Sequence, residues 1–259
     1  MTLNGTNMKR TARALTALPV FNEAKYVDSV LHAVKQTSAE ILVVDDGSSD
    51  ATAEILSRRD DIHVVTHAQN QGYGAALRTA FQYAMDADYD VLVTIDCDGQ
   101  HEPKRIPRFV EACEAVDIVS GSRYLQRFEG DSSPPPERQN INRQITDSLN
   151  QRLGLEITDA FCGFKAYRVD ALRELELHET GYAMPLELWV QAATRGFRIR
   201  ELAVPLIYLD EDRSFGGVLD DAESRKAYYH QVINTSLARV RKPPATCRAN
   251  ISGESAGCH

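Results

Sequence analysis

No stretch of the 259-residue chain approaches the ~20 consecutive apolar residues of a membrane-spanning helix. A lipidic substrate, if there is one, has to be met at a membrane surface. The five cysteines (Cys97, Cys113, Cys162, Cys247 and Cys258) show no CxxC spacing and no pairing with histidines. That excludes the usual zinc and dithiol signatures and leaves scattered reduced thiols, as in a cytoplasmic protein. Basic charge is also in deficit. Against 29 Lys and Arg stand 37 Asp and Glu, a net charge of −8. This argues against a nucleic-acid partner, which needs a basic face, while allowing a local basic pocket for phosphates. The start, MTLNGTNMKRTARALTALPVF, has only a short apolar run from Ala14 to Phe21, which reads as a first strand and not a signal peptide. The remaining bulk is that of a globular protein, 43% hydrophobic and 25% charged. The length suffices for one large α/β domain or two small ones.

Apolar runs of strand length alternate with longer helical patterns, the mark of a mainly parallel sheet with crossover helices. Strands are expected at 14–20, 41–45, 62–66, 91–96, 117–120, 164–167 and 199–204. Helices are expected at 24–37, after Asp50, from the NQGYG turn to about 86, at 103–115, 137–153, 185–195 and 220–240. Residues 127–140 form a Pro/Ser-rich loop without core-forming residues, and the tail after Lys242 has the composition of a disordered segment. The expected organisation is one domain over 1–242, with a nucleotide-binding part at about 14–124, an acceptor-side part at about 125–240 and a disordered tail at 243–259.

In open parallel sheets ligands bind beyond the carboxyl ends of the strands. Four features fall there: PVFNE (19–23), DDGSSD (45–50), NQGYG (70–74) and DCDGQH (96–101). Asp96 and Asp98 are alternate residues, so an extended chain points both the same way. Two such carboxylates can share a hard divalent cation with substrate phosphates, with Gln100 and His101 as further candidate ligands. Asp45 and Asp46 divide less clearly. One serves the turn and the other accepts hydrogen bonds from a base or ribose, or both serve turn chemistry. Gly72 and Gly74, opening a helix, permit close backbone approach to a ligand.

PVFNE, VVDDGSSDAT, NQGYGAAL, DCDGQH, GSRY (121–124) and TDAFCGFKAYR (158–168) occur in this order over about residues 15–215. The set resembles the family 2 glycosyltransferases of GT-A fold, a Rossmann-like, mainly parallel sheet flanked by helices in a single domain. Within the family it is most similar to the dolichyl-phosphate mannosyl- and polyprenyl-phosphate hexosyltransferases. The resemblance implies that Pro19, Phe21 and Glu23 lie by the nucleotide base and Asp46 by the nucleoside. It implies Mg²⁺ or Mn²⁺ at Asp96, Asp98 and Gln100, phosphate at Arg123, and the sugar or acceptor at Asp159. Glu187 matches a position preceding a helix and a strand, and Arg213 matches an arginine that clamps substrate phosphates. Two departures stand out: RSFGGVLDD lacks the Ser-Lys expected after Arg213 and Gly216, and Cys162 replaces a serine.

The expected reaction is inverting transfer of a hexose from a GDP- or UDP-sugar to a polyprenyl or dolichyl phosphate, or to a saccharide hydroxyl. A phosphate acceptor is already anionic. A hydroxyl needs a base, for which Asp159 and Glu187 are the candidates. Each has a structural alternative, Asp159 as a loop or cap residue and Glu187 as an ion-pair partner of Arg195 or Arg198. Arg123, Arg127, Arg138, Arg143 and Arg152 form either a solvated face or a cationic rim for an acceptor phosphate or an anionic membrane surface. The expected location is cytoplasmic with peripheral membrane contact. A receiver-type phosphoacceptor domain would need half this length, and a nucleotidyltransferase would carry a basic glycine loop where PVFNEAK stands. A non-catalytic nucleotide-sugar binder would not need the Asp96-x-Asp98 pair.

Overall fold

Alternation along three apolar strands builds the centre of the molecule. In β1 (Ala14–Val20), Leu15 and Ala17 face one side of the sheet while Leu18 and Val20 face the other. In β2 (Glu40–Asp45) the same split separates Leu42 and Val44 from Ile41 and Val43. In β4 (Val91–Thr94) it separates Leu92 from Val91 and Val93. Both faces are therefore apolar, as a strand covered by helices on two sides requires. The computed structural model describes residues 12–209 and 217–240.

With β3 (His63–Thr66), β5 (Ile118–Ser122), β6 (Lys165–Arg168) and β7 (Ile199–Ala203), the sheet has seven strands in the order β3-β2-β1-β4-β6-β5-β7. All pairings are parallel except those of β6, which runs against both β4 and β5. One layer packs α3 (Tyr73–Asp86), α5 (Pro136–Leu153), α6 (Val169–Leu172), α7 (Met184–Thr194) and α8 (Ala222–Val240) against one face. The other face is covered by α1 (Val27–Lys35), α2 (Thr52–Ser57) and α4 (Ile106–Ala112). The mainly parallel, helix-flanked sheet is as expected.

Details differ at the ends of elements. The helix expected over 103–115 begins as a 3₁₀ turn, Pro103–Arg105: Pro107 has no N–H to give Pro103 O in an α-helical ladder, and the Ile106 N–H bonds that oxygen instead. β4 ends at Thr94, two residues short of the expected boundary, as the chain turns toward Asp98. The four-residue α6 had no sequence signal. The tail 243–259 lies outside the described residues.

The register sets the site. Val20 is level with Asp45, and Ala17 with Thr94, so the carboxyl ends of β1, β2 and β4 form one edge. Strand order reverses between β1 and β4, which opens a crevice at that edge. The two-residue period has a further effect. Asp46 continues the row of Leu42 and Val44, and Asp96 that of Leu92, so both are directed to the α3 face. Asp45 belongs to the opposite row.

Candidate functional site

A cleft of about 890 Å³ occupies this edge, within the range of ligand pockets. Pro19, Phe21 and Glu23 line it from the end of β1, Asp96, Asp98 and Gln100 from the end of β4, and Arg123, Arg138 and Arg225 from later in the chain. Phe21 stays 41% exposed, an apolar surface in the cleft lining.

Asp96 is held from several directions. The Tyr73 hydroxyl donates to its Oδ1 at 2.9 Å, and His101 Nε2 donates to Oδ2 at 3.3 Å. Gly163 lies directly against it: a Cβ there would overlap the Asp96 carboxylate, so the glycine of the CGF stretch makes room for the aspartate. The Tyr73 phenol is pushed well above its ordinary pKa by burial and by the adjacent Asp96 charge, so it stays a donor. Asp98 accepts from the Gln100 backbone N–H at 3.0 Å and from its side-chain amide at 3.1 Å. Gln100 therefore turns its amide nitrogen to Asp98, leaving the carbonyl oxygen as its donor to a cation.

The fit of a cation follows from this donor set. Among the described residues no group of three or more His, Cys, Asp or Glu is arranged to hold a metal. The chain instead offers two carboxylates and an amide oxygen. This suits Mg²⁺ or Mn²⁺, hard ions whose remaining positions are filled by substrate phosphates and water.

The first acidic pair has a different position in the network. Asp45 Oδ1 accepts the Ser48 N–H at 3.0 Å and closes the turn. Asp46, although at the cleft wall, receives His67 Nδ1–H at 2.6 Å and the backbone N–H groups of Gln71 and Gly72 at 2.9 and 2.8 Å. His67 Nε2 in turn lies 2.9 Å from the Thr79 hydroxyl, with which it hydrogen-bonds. The Asp46 carboxylate thus spends most of its acceptor capacity on the loop that leads into α3.

Gly74, expected against a ligand, is placed elsewhere. Its missing side chain admits Glu179 O and Met184 Cβ, each 2.7 Å from where a Cβ would sit. The close approach is of backbone to the 178–182 loop, which the Ala75 N–H also bonds through Thr180 O at 3.1 Å.

Both candidate bases are corrected by burial. Asp159 is fully buried and carries a two-pronged ion pair with Arg123, Nε–Oδ2 2.7 Å and Nη2–Oδ1 2.9 Å. Asn142 and the Phe161 N–H add further bonds to Oδ1. Burial alone would raise its pKa, but the Arg123 charge and these hydrogen bonds override that and hold it at about 2. A carboxylate so weakly basic is a poor proton acceptor, and its lone pairs are taken. Its role is to aim Arg123, whose own pKa is raised against the effect of burial by the same pair. Glu187 is 1% exposed and lies away from the cleft lining. Its Oε2 accepts the backbone N–H groups of His178 and Glu179, each at 2.7 Å, and its ion-pair partner is Arg239, not Arg195 or Arg198. Arg213 lies outside the described residues.

The row of arginines divides. Arg123 and Arg138 line the cleft, Arg138 bonding the Tyr208 hydroxyl. Arg143 and Arg152 turn outward to Asn140 and Asn234. Arg225, from α8, joins the cleft with Glu137 as partner at 2.9 Å. A single arginine on a polar helix gives no sequence signal of this. Tyr73 does carry one: an aromatic between two glycines at a helix start. Lys165 is 2% exposed, donates to Cys162 O and lies 5.5 Å from the Trp189 ring, with burial lowering its pKa.

The sequence matches the family model of Glycosyl transferase family 2 over residues 16–176. The undecaprenyl-phosphate mannosyltransferase of Micrococcus luteus is 33% identical over 225 residues, which cover 81% of this chain and 90% of that protein. The polyprenol monophosphomannose synthase of Mycolicibacterium smegmatis is 32% identical over 219 residues, 79% of this chain and 80% of that protein. Among solved structures, the glucosyl-3-phosphoglycerate synthase of Mycobacterium tuberculosis aligns with a TM-score of 0.67 at 20% identity, over 88% of this chain and 81% of that one. This likeness shows the shared fold. The same synthase has been crystallised with Mn²⁺, UDP and glucosyl-3-phosphoglycerate.

Proposed function

The chain belongs to glycosyl transferase family 2, and on that footing we propose that it moves a hexose from a GDP- or UDP-sugar to a polyprenyl phosphate, with inversion at the anomeric carbon. One observation carries the choice of acceptor. Among the described residues lining the cleft, the carboxylates are Glu23, Asp46, Asp96 and Asp98, all from the first hundred residues. Beyond them in the chain, among the described residues, the cleft presents Arg123 and, from the later part of the chain, Arg138 and Arg225, with no carboxylate. A hydroxyl acceptor needs a base, whereas a phosphate monoester arrives ionised and needs cations. The names of the two bacterial relatives support the same acceptor.

The donor lies, in this reading, across the β1–β4 crevice, with its base by Pro19, Phe21 and Glu23 and its diphosphate toward Asp96 and Asp98. The nucleotide-binding part is about 14–124 and the acceptor-side part about 125–240. Asp96, Asp98 and the Gln100 carbonyl would hold Mg²⁺ or Mn²⁺, which supplies charge neutralisation to the diphosphate leaving group. Arg123, fixed by Asp159, keeps its Nη1 edge for an anion, because Nε and Nη2 are engaged. Arg138 and Arg225 widen that cationic wall. Among the described residues no helix is long and apolar enough to cross a membrane. The acceptor is reached from the membrane surface.

The test is transfer from radiolabelled GDP-mannose, or UDP-glucose, to a short-chain polyprenyl phosphate with Mn²⁺. The expected product is a polyprenyl phosphohexose. Transfer to a saccharide hydroxyl and not to the lipid phosphate would overturn the acceptor assignment.

A further inference from the structure

The two acidic stretches are joined through one side chain that the proposed chemistry does not employ. Asp46 anchors the backbone of Gln71 and Gly72. The next residue, Tyr73, opens α3 and places its hydroxyl 2.9 Å from Asp96 Oδ1. Its ring lies against Tyr182, 5.8 Å between centroids and 18° from parallel. Tyr182 sits in the 178–182 loop, whose amides at 178 and 179 Glu187 holds. Tyr73 is thus fixed from both sides before it reaches Asp96.

We propose that Tyr73 is a positioning residue for the cation's carboxylate: its hydroxyl fixes the Asp96 rotamer, so that the site is set before the ion arrives. The inference rests on the reading of Asp96 as a cation ligand. Three features of the geometry support it. A carboxylate on a short side chain turns readily about two bonds, and its ligating power depends on which oxygen faces the ion. Tyr73 addresses Oδ1 while His101 addresses Oδ2, so the plane of the carboxylate is defined. The donor is neutral, so it orients the carboxylate without consuming the negative charge that attracts the ion, as a lysine in that place would. It follows that Asp46 acts on the cation at one remove, through the loop and Tyr73.

The test is Mn²⁺ titration of the full chain followed by electron paramagnetic resonance, with GDP or UDP present, on the parent and on Tyr73→Phe. The phenylalanine keeps the ring and its contact with Tyr182. Outer-shell partners of metal ligands are typically worth about 10–100-fold in affinity, and a loss of that order is expected, with an unchanged melting temperature. In turnover, the Mn²⁺ concentration for half-maximal rate rises while the rate at saturating Mn²⁺ holds. A purely structural tyrosine would lower the melting temperature and leave Mn²⁺ affinity alone. Tyr182→Ala, which removes the flanking ring without touching Asp96, should give a smaller loss in the same direction, and it decides the matter if Tyr73→Phe folds poorly. Equal Mn²⁺ affinity in parent and variants overturns this inference alone. A parent that takes up no Mn²⁺ overturns the cation reading, and this inference with it.

Discussion

Replacing Asp159 by asparagine separates a catalytic base from a strut. The ordinary pKa of 3.8 falls to about 2 in the fold, which corresponds to about 2–3 kcal/mol of stability at neutral pH. Because the folded value is depressed, that contribution is present above pH ~4 and is lost as pH falls toward 2. Asp159→Asn removes it and also leaves the Arg123 guanidinium, 24% exposed, facing a neutral amide. Breaking a buried pair from one side costs about 3–5 kcal/mol, so a loss of about 3 kcal/mol is expected. For a domain of this size that is a fall of about 6–12 °C in melting temperature. The assay is thermal and urea unfolding of the parent, Asp159→Asn, Arg123→Gln and the double variant. The double variant should be less destabilised than the two single losses added together, since neither charge is then stranded. The gap between parent and Asp159→Asn should stay constant from pH 7 to 5 and close toward pH 2. An Asp159→Asn protein with parental stability, whose rate collapses and whose acid limb disappears from the pH–rate profile, would refute the reasoning and restore Asp159 as a base.

Asp98→Asn should abolish metal-dependent binding of GDP or UDP in calorimetry while the fold persists, and chelation of the parent should do the same. Gly163→Ala forces a methyl into the Asp96 carboxylate, so Mn²⁺ affinity should drop by at least tenfold, roughly what a lost outer-shell contact costs. Glu187→Ala releases two backbone N–H groups. It should cost about 1–3 kcal/mol in urea unfolding, with no change in the shape of the pH–rate profile.

The sheet was readable because its central strands are long apolar runs punctuated by glycine and aspartate. β1 falls on the expected residues, and the Asp96-x-Asp98 pair lies at the expected edge. Direction was not readable for β6, since four residues carry no mark of parallel or antiparallel pairing. The roles of Asp159 and Glu187 were hidden for a different reason. A carboxylate looks the same in sequence whether it meets solvent or an arginine 36 residues away, and only burial decides. Gly74 illustrates the same limit: the need for a glycine was legible, but not that the approaching group is Glu179 and not a ligand. Tyr73 depends on a partner 23 residues distant, which no local pattern announces.

The antiparallel strand β6 has a mechanical consequence. It comes from the later segment of the chain, after residue 124, yet it is hydrogen-bonded between β4 and β5 of the earlier one. The two segments are therefore laced through one sheet and cannot swing apart about a hinge, as two lobes joined by a linker would. The separation of the side chains that the two segments bring to the cleft is set by the backbone ladder itself. A chain split after residue 124 would leave β4 and β5 each missing its shared neighbour, so the halves should regain function only when folded together.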